Sequence, residues 1–339
     1  MKKDVRVAIV GFGGIARSHN IGYDKLVKAG EPVRLVAVCD INEEQFKSHM
    51  NINIPVGDVG LPADIHTYTS VDELIANEDF DMADICLPSY LHKEYAIKLM
   101  QAGKHVLSEK PMALNVQDCD EMIQIAKQTN CKLMIGQCLR FDDCYLYLKE
   151  CIDSGRYGNL KHMFMERLSA MPRWGFEGWF HNTEKSGGCI MDMHIHDVDM
   201  VRFLLGEPQA VSTVALDDVV QWQVENTRMY YDNKLVVING SWDESKKCSF
   251  KCGFRVRFDH ATLISDCQKV TVYPDEGEIF TYEPEDNHYI GHEIKAFVHE
   301  LLAGILVSEV NPPESARETV RIIEKLRESA ALGGAIIPV

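Results

Sequence analysis

Residues 7–16 read Val7-Ala8-Ile9-Val10-Gly11-Phe12-Gly13-Gly14-Ile15-Ala16, and this stretch decides the fold. Its apolar residues predict a buried strand, its glycines a tight turn, and the residues after them the start of a helix. Gly11 permits the turn, Gly13 lets the backbone approach a pyrophosphate, and Ala16 allows close packing of helix on strand. The N–H groups and dipole of such a helix favour an anion. We therefore predict a dinucleotide-binding loop, with a purely structural βαβ turn as the alternative.

The chain around this loop alternates short apolar runs with helical segments up to about residue 138. Strands that alternate with helices predict a parallel sheet covered on both faces. A short helix is also predicted over Glu43–Met50. The predicted strands of this part are Val5–Val10, Val33–Cys39, Ala83–Leu87, His105–Ser108 and Lys132–Ile135.

The pattern changes after residue 138, where strand-like runs dominate and two helices close the chain. This change predicts an α+β domain on a largely antiparallel sheet, so we place the domain boundary between residues 1–138 and 139–339. The predicted strands here are Leu160–Leu168, Ala210–Leu216, Thr227–Tyr231, Lys234–Ile238, Phe250–Phe258, Ala261–Ser265 and Lys269–Val272.

Composition narrows the possible partners and compartments. The formal net charge of −16 argues against a nucleic-acid partner and against an anionic membrane surface. No apolar run is long enough for a transmembrane helix. The segment Met1-Lys2-Lys3-Asp4 leads directly into a strand pattern without the apolar core of a signal peptide, so we expect a cytoplasmic protein.

The chain contains eleven cysteines, an odd number, and several lie within apolar segments. This distribution favours reduced thiols that fill the core. Cys248 and Cys252 are four residues apart, but no second pair or histidine cluster follows them, so a zinc site is the minor alternative and we expect no metal.

The second predicted strand ends in Cys39-Asp40, about two dozen residues after the glycine loop. A carboxylate at this point accepts hydrogen bonds from ribose hydroxyls and repels a 2′-phosphate. Ile41 and Asn42 follow, so no arginine is present to receive that phosphate. The sequence therefore favours NAD over NADP. FAD is a further alternative, although it usually needs more contacts than the sequence offers.

The next two predicted strands end in polar residues at the edge where open parallel sheets bind ligands. Pro88-Ser89 follows one strand, and Ser89 and His92 are candidates either for capping the next helix or for contacting the cofactor. Glu109-Lys110-Pro111 follows the other. The proline disfavours helix at Lys110 and allows a cis peptide bond, which would hold an ammonium group at the mouth of a cofactor cleft.

A helix predicted over Gly188–Leu205 carries a second candidate site. Asp192 and His196 are four residues apart, so they share a helix face, and the carboxylate can orient the imidazole for acid/base chemistry. Alternatively, Asp192 stabilises the helix dipole, and His196 is a core residue. His194 and Asp199 add potential metal ligands, but His194 is predicted to point away from that face.

These motifs together resemble the Gfo/Idh/MocA family of oxidoreductases, which includes glucose–fructose oxidoreductase and inositol dehydrogenases. The resemblance covers nearly the whole chain, and its most specific elements are Glu109-Lys110-Pro111 and the helix with Asp192 and His196. It implies a Rossmann domain followed by an α/β domain with an open sheet that binds substrate and forms homodimers or homotetramers. One departure is Cys189, where a third glycine is frequent.

The resemblance implies that NAD oxidises a secondary alcohol of a cyclic polyol or sugar, or that NADH drives the reverse reaction, with Lys110, Asp192 and His196 as catalytic residues. The candidate cofactor-binding residues are Gly11, Phe12, Gly13, Gly14, Ile15, Asp40, Pro88, Ser89, His92, Glu109 and Lys110. The candidate substrate-binding residues are Gln137, Arg140, Trp174, Trp179, Tyr289 and His292. Packing is the alternative for each of these substrate-binding candidates.

Two other functions fit the same motifs. Some relatives keep NAD bound and use it in a redox-assisted lyase or glycosidase reaction. Others are nucleotide-sensing regulators or binding proteins without catalysis. The acid/base residues favour an enzyme, and the sequence does not identify the sugar, the oxidised carbon or the oligomer size.

Overall fold

The structure is a computed structural model that describes residues 4–47, 60–62 and 64–339. The chain forms two compact units. The first combines the residues up to Cys138 with two later segments, Trp174–Trp179 and His288–Arg317. The second consists of Leu139–Arg173, Phe180–Asn287 and Glu318–Val339. Every helix in the described part of the chain is too short or too polar to cross a membrane.

Within the described residues, the first unit is built on six parallel strands in the order β3-β2-β1-β4-β5-β6. The order reverses beside β1, and open α/β sheets bind ligands at the carboxyl ends of the strands near such a point. This confirms the predicted Rossmann sheet. The strands are β1 (Val5–Val10), β2 (Val33–Cys39), β3 (His66–Tyr68), β4 (Met82–Ile85), β5 (His105–Glu109) and β6 (Leu133–Gly136).

Ten α-helices lie in the described part of the chain, and most agree with the sequence pattern within one or two residues. The predicted helix over Glu43–Met50 is a short 3-10 turn at Glu43–Phe46, and residues 48–50 lie outside the described residues. The helices are α1 (Gly14–Lys28), α2 (Val71–Asn77), α3 (His92–Gln101), α4 (Val116–Thr129), α5 (Asp143–Asp153), α6 (Thr183–Ser186), α7 (Cys189–Asp192), α8 (Ile195–Leu205), α9 (Tyr289–Leu302) and α10 (Pro313–Ala331).

Helix α9 belongs to the first unit although it follows β6 by some 150 residues of chain. It packs on α1, where a Cβ atom added to Gly22 would lie only 3.1 Å from Cδ1 of Ile294. Lys132, just before β6, is fully buried, and its ammonium group donates to Glu300 Oε2 at 2.8 Å and to the Ile305 carbonyl at 3.1 Å. These contacts fix α9 and the turn after it to the Rossmann sheet.

The second unit is built on a sheet whose nine described strands run in the order β14-β13-β12-β11-β7-β10-β9-β8-β15. The central pair β7 and β10 is parallel, with Val237 opposite Phe164, and the other neighbours are antiparallel. This confirms the mostly antiparallel sheet. The strands are β7 (Leu160–Leu168), β8 (Ala210–Leu216), β9 (Val224–Tyr231), β10 (Lys234–Ser241), β11 (Lys251–Phe258), β12 (Ala261–Ser265), β13 (Val270–Pro274), β14 (Phe280–Tyr282) and β15 (Ile337–Pro338).

The single helix predicted over Gly188–Leu205 is wrong in one respect, because it is broken after Asp192. Helix α7 ends there and α8 begins at Ile195. The break coincides with His194, whose amide donates to the Cys189 carbonyl and whose Nε2 atom lies 2.8 Å from Thr227 Oγ1 on β9. The hydrogen bond between His194 and Thr227 on the sheet therefore accompanies the interruption of the helix at this point.

Candidate active site

The glycine loop between β1 and α1 has the shape of a phosphate-binding turn. Gly11 has φ +87°, and a Cβ atom there would lie 2.7 Å from the Cys86 carbonyl oxygen, so only glycine fits. A Cβ atom on Gly13 would meet nothing within 4 Å, which leaves open space beside the backbone. No side chain caps the N-terminus of α1 within the described residues. Its first N–H groups are thus available to an anion.

Asp40 lies at the carboxyl end of β2, beside this loop. Its carboxylate accepts a hydrogen bond from the Phe12 amide at 2.7 Å and one from the Asn42 amide at 2.8 Å. Both bonds fix the carboxylate next to the glycine turn. The position and charge are those that a ribose diol requires.

Ser89 and His92 follow β4 and differ in their surroundings. Ser89 is 2% exposed, and its Oγ atom has no hydrogen-bond partner among the described residues. Helix α3 starts at His92 without a side-chain cap, so the capping interpretation of Ser89 is wrong. An orphaned hydroxyl at the ligand edge of the sheet is instead available to a bound molecule.

The ring of His92 is buried between two carbonyl groups. Its Nδ1 atom lies 2.7 Å from the Pro111 carbonyl oxygen and its Nε2 atom 2.8 Å from that of Leu87. Burial lowers the pKa of His92, so the ring is neutral and donates to only one of them. The side chain ties the turn after β4 to the turn after β5.

Glu109 takes part in a buried network that the sequence patterns did not reveal. His19 on α1 is fully buried, with Nε2 3.0 Å from Glu109 Oε1 and Nδ1 2.8 Å from Asp84 Oδ2. Tyr23 donates its hydroxyl proton to the same Asp84 oxygen at 2.8 Å. An aspartate inside the apolar strand β4 was the available signal, since buried carboxylates need a partner.

The network carries a buried positive charge. Burial alone would lower the pKa of His19, but its interactions with Asp84 and Cys86 together outweigh burial and raise that pKa well above its usual value. Burial would raise the pKa of Glu109, but the hydrogen bond with His19 and the charges of His19 and Lys110 together outweigh burial and lower that pKa. A protonated imidazole thus lies between two carboxylates. Among the described residues, one close group of potential metal ligands is found, formed by His19, Asp84 and Cys86. Within it the His19 imidazole and the Asp84 carboxylate are hydrogen-bonded to each other.

Lys110 follows this network at the end of β5. Its amide donates to Glu109 Oε2 at 3.1 Å, its side chain is half-buried, and the Lys110–Pro111 peptide bond is cis. Gln137 holds the equivalent position after the neighbouring strand, because Glu109 pairs with Gly136. Gln137 is 1% exposed, and its Nε2 atom has no partner within the described part of the chain.

Most of the predicted substrate-binding residues belong to the same unit as Lys110. The segment with Trp174 and Trp179 and the first turn of α9, with Tyr289 and His292, return to this unit. Trp179 is buried, and the other three side chains are half-buried.

The second unit carries Asp192, His196 and Arg140. Asp192 is the last residue of α7, His196 lies in the first turn of α8, and both are half-buried. Fully buried His194 lies between them. Burial and the charge of Arg167 lower the pKa of His194 to about 3, so this ring is neutral and anchors the break to β9.

Arg140, a candidate substrate-binding residue, is buried in the second unit. Its guanidinium group donates to both carboxylate oxygens of Asp199, at 2.8 and 2.7 Å, and lies over the Phe203 ring. Thr319 donates its hydroxyl to the same carboxylate at 2.7 Å. Asp199 is therefore committed to an internal ion pair, which removes it from the set of potential metal ligands.

A glycine loop before an uncapped helix and an acidic residue after β2 are the features of a dinucleotide-binding domain, with Lys110 after β5 at its ligand edge. Many oxidoreductases use such a domain to bind NAD. Residues 5–137 match the model of an oxidoreductase family with an NAD-binding Rossmann fold. Residues 145–279 match the model of the GFO/IDH/MocA C-terminal domain. The chain belongs to the GFO/IDH/MocA family of NAD-dependent oxidoreductases.

Two curated relatives and one solved structure illustrate the likeness. The inositol 2-dehydrogenase of Rhizobium meliloti is 26% identical over 315 residues, which cover 90% of this chain and 89% of the relative. The 2,7-anhydro-N-acetylneuraminate hydratase of Mediterraneibacter gnavus is 26% identical over 295 residues, which cover 86% of this chain and 73% of the relative. Across the curated relatives compared, the match spans from 39% to 89% of the relative's own length.

The WlbA dehydrogenase from Bordetella pertussis, solved in complex with NADH and UDP-GlcNAcA, has the same fold. Its TM-score is 0.80 at 20% identity, and the superposition covers all of this chain and 99% of that one.

Proposed function

We propose that this protein transfers a hydride between NAD and a secondary alcohol of a cyclic polyol or sugar. The observation that carries the proposal is Lys110, which the buried His19–Glu109 network holds at the ligand edge of a dinucleotide-binding sheet. Residues 1–138 supply the cofactor-binding domain in this proposal. Residues 139–339 supply the larger part of the substrate-binding and oligomerisation domain.

The residues present fit NAD. Gly11 permits the tight turn and Gly13 leaves room for a pyrophosphate. The uncapped N–H groups of α1 would hold the pyrophosphate, and Asp40 would accept the ribose hydroxyls. The orphaned Ser89 hydroxyl would contact the same molecule. Phe12, Gly14, Ile15 and Pro88 complete the proposed binding set through their backbone, and bound NAD supplies the hydride chemistry.

Lys110 and His196 are the proposed proton-handling residues. The ammonium group of Lys110 donates a hydrogen bond to the substrate oxygen and stabilises negative charge on it. The imidazole of His196 accepts the hydroxyl proton during oxidation and returns it during reduction, and Asp192 orients the ring or the lysine. If the two roles are exchanged, neutral Lys110 becomes the base.

The substrate-binding proposal rests on polar and aromatic side chains of the first unit. The orphaned amide of Gln137 would bind a substrate hydroxyl, and the rings of Trp174, Trp179 and Tyr289 would contact the C–H faces of a sugar. His292, half-buried on α9, would add a further polar contact. The internal ion pair with Asp199 makes Arg140 a structural residue in this proposal.

We also propose a homo-oligomer that forms through the second sheet. Phe164 on β7 and Leu235 on β10 lie on neighbouring strands, and each is more than one third exposed. Val214 and Leu216 on β8 are about half exposed. Large apolar side chains on a sheet face are typical of an interface.

The relative named as a hydratase favours a second candidate, a reaction with a net addition or loss of a sugar substituent and no net redox change. Net NADH production separates the two candidates. A dehydrogenase accumulates NADH with its alcohol substrate, whereas a redox-assisted lyase or hydratase converts sugar without accumulating it.

The decisive experiment measures NADH absorbance while the protein is offered inositols, aldoses, amino sugars and their anhydro derivatives and glycosides with NAD. Sugar consumption is followed in the same samples. Lys110→Ala and His196→Ala should each lower turnover by roughly two to four orders of magnitude, as loss of an acid/base group does. NADH affinity, measured by fluorescence titration, should stay within about threefold of the parent value, a difference of about 0.6 kcal/mol in binding free energy.

Wild-type-like turnover in both variants would contradict the assigned roles. A flat response across the panel with NADH bound would favour a nucleotide-sensing binding protein.

A further inference from the structure

Two cysteines of the second unit lie on either side of the last residue pair between strands β11 and β12. Strand β11 pairs with β12 so that Phe254 lies opposite Ser265. Cys252 lies on β11, two residues before this last pair of the ladder, and Cys267 lies two residues after it, in the turn that follows β12. The two thiols are close enough to shift each other's pKa, and both side chains are half-buried. The pair is thus preformed and partly open to solvent.

A buried guanidinium group lies beside the two thiols. Arg167 on β7 is the strand partner of Cys252, and its Nη2 atom donates to Asp197 Oδ1 at 3.0 Å and to the Tyr145 hydroxyl at 3.4 Å. That hydroxyl lies 3.7 Å from Cys267 Sγ. Cys252 and Cys267 therefore belong to a polar cluster on the sheet face that α5 and α8 cover.

The cluster makes the two thiols unequal. The neighbouring Cys267 thiol and the charge of Arg167 lower the pKa of Cys252, against burial and the carboxylates of Asp197 and Asp142. The neighbouring Cys252 thiol and burial raise the pKa of Cys267. Among the described cysteines with a shifted pKa, Cys252 alone has it lowered, and the others, like Cys267, have it raised: Cys39, Cys86, Cys119, Cys144 and Cys151.

We propose that Cys252 and Cys267 are a dithiol modification site that low-molecular-weight disulfides such as glutathione disulfide oxidise to an internal disulfide. A disulfide requires Cα atoms roughly 4.4–6.8 Å apart. Cys252 and Cys267 flank the last pair of the β11–β12 ladder and contact the same Arg167–Tyr145 cluster, so closure requires movement in the turn after β12 and not in the ladder. The proposal does not depend on which substrate the enzyme uses.

The reaction proceeds in two exchange steps. The Cys252 thiolate attacks one sulfur of the small disulfide, whose S–S bond breaks and releases one thiolate. The Cys267 thiol then loses its proton to solvent and attacks the Cys252 sulfur, which expels the second small thiolate. The two protein thiols are oxidised to one disulfide, and the small disulfide is reduced to two thiols.

The test uses the full chain, incubated with glutathione disulfide, blocked with an alkylating reagent and mapped by peptide mass spectrometry. We expect a cross-link between the Cys252 and Cys267 peptides, a loss of two alkylatable thiols, and full recovery of both after reduction. Cys267→Ser should stop at a glutathione adduct on Cys252, and Cys252→Ser should form neither product at these positions. Cys248→Ser, at an exposed cysteine on the same segment, is the matched control and should cross-link like the parent.

Two results would overturn the proposal. One is a parent protein that keeps both thiols fully alkylatable while Cys248 is glutathionylated. The other is a parent that accumulates a stable glutathione adduct on Cys252 without the cross-link. Both results are measured on the parent chain, so they hold whether or not a variant folds.

Discussion

Replacing His19 by asparagine tests the buried charge network that supports Lys110. The substitution removes the protonated ring whose two nitrogens lie 2.8 Å from Asp84 and 3.0 Å from Glu109. Both carboxylates stay buried, since Asp84 is fully buried and Glu109 is 6% exposed. Removing one partner from a buried ion pair costs about 3–5 kcal/mol, because the remaining charge is uncompensated.

The measurement is thermal unfolding of the parent and of His19→Asn, followed by circular dichroism at about pH 6. His19 has a raised folded pKa, so its contribution is complete below its unfolded value of 6.5 and is lost as pH rises through the folded value. Glu109 has a lowered pKa, so its contribution is complete above 4.5 and is lost as pH falls through the folded value. The chosen pH retains both contributions.

At about 2–4 °C per kcal/mol for a unit of this size, the expected loss is roughly 6–20 °C in Tm. The control is His66→Asn, because His66 contacts Glu78 at 2.6 Å while 69% of its side chain is exposed. Such a surface pair contributes about 0–1 kcal/mol. A second variant combines His19→Asn with Glu109→Gln, and it separates the cost of an uncompensated charge from the cost of altered packing. Neutralising Glu109 should restore part of the lost stability if an uncompensated charge is the cause.

The reasoning is refuted if His19→Asn lowers stability by less than about 1 kcal/mol, the value of a surface pair. It is also refuted if the double variant is no more stable than His19→Asn.

Two further predictions concern the cofactor loop, and fluorescence titration with NADH and NADPH tests both. Gly11→Ala should weaken NADH binding by at least about tenfold (about 1.4 kcal/mol), because its Cβ atom would lie 2.7 Å from the Cys86 carbonyl oxygen at a φ of +87°. Gly30→Ala, at a turn glycine with nothing near its Cβ position, is the control, and equal NADH affinity in both variants would contradict the steric argument. Asp40→Ser should weaken NADH and strengthen NADPH binding, because the carboxylate accepts ribose hydroxyls and repels a 2′-phosphate. An unchanged preference between the two nucleotides would show that Asp40 does not recognise the ribose.

The sequence was sufficient for the architecture of both sheets, because apolar periodicity and turn residues are local signals. Strands shorter than about four residues give no readable alternation, and for this reason β3, β14 and β15 were missed. The parallel pairing of β7 with β10 was also not predicted, because it joins segments that are far apart in the chain.

The candidate site was predicted where one short motif carries it and missed where partners come from distant segments. The glycine loop, Asp40 and Lys110 follow from position relative to a strand. The link between His19 and Asp84 joins residues 65 positions apart, and no local pattern reports it. The helix break at His194 depends on Thr227, 33 residues further on, so helical spacing alone placed Asp192 and His196 on one continuous helix.

The contact of Lys132 with helix α9 has a consequence for the order in which the molecule can fold during synthesis. When the ribosome has produced the Rossmann strands, the chain that will neutralise Lys132 is still some 170 residues away, since Glu300 follows it by 168 positions. A nascent first unit therefore lacks the carboxylate that pairs with Lys132 and the helix that covers α1. Non-local closure of this kind slows folding, so the nucleotide-binding unit reaches its final form only after most of the second unit has been made.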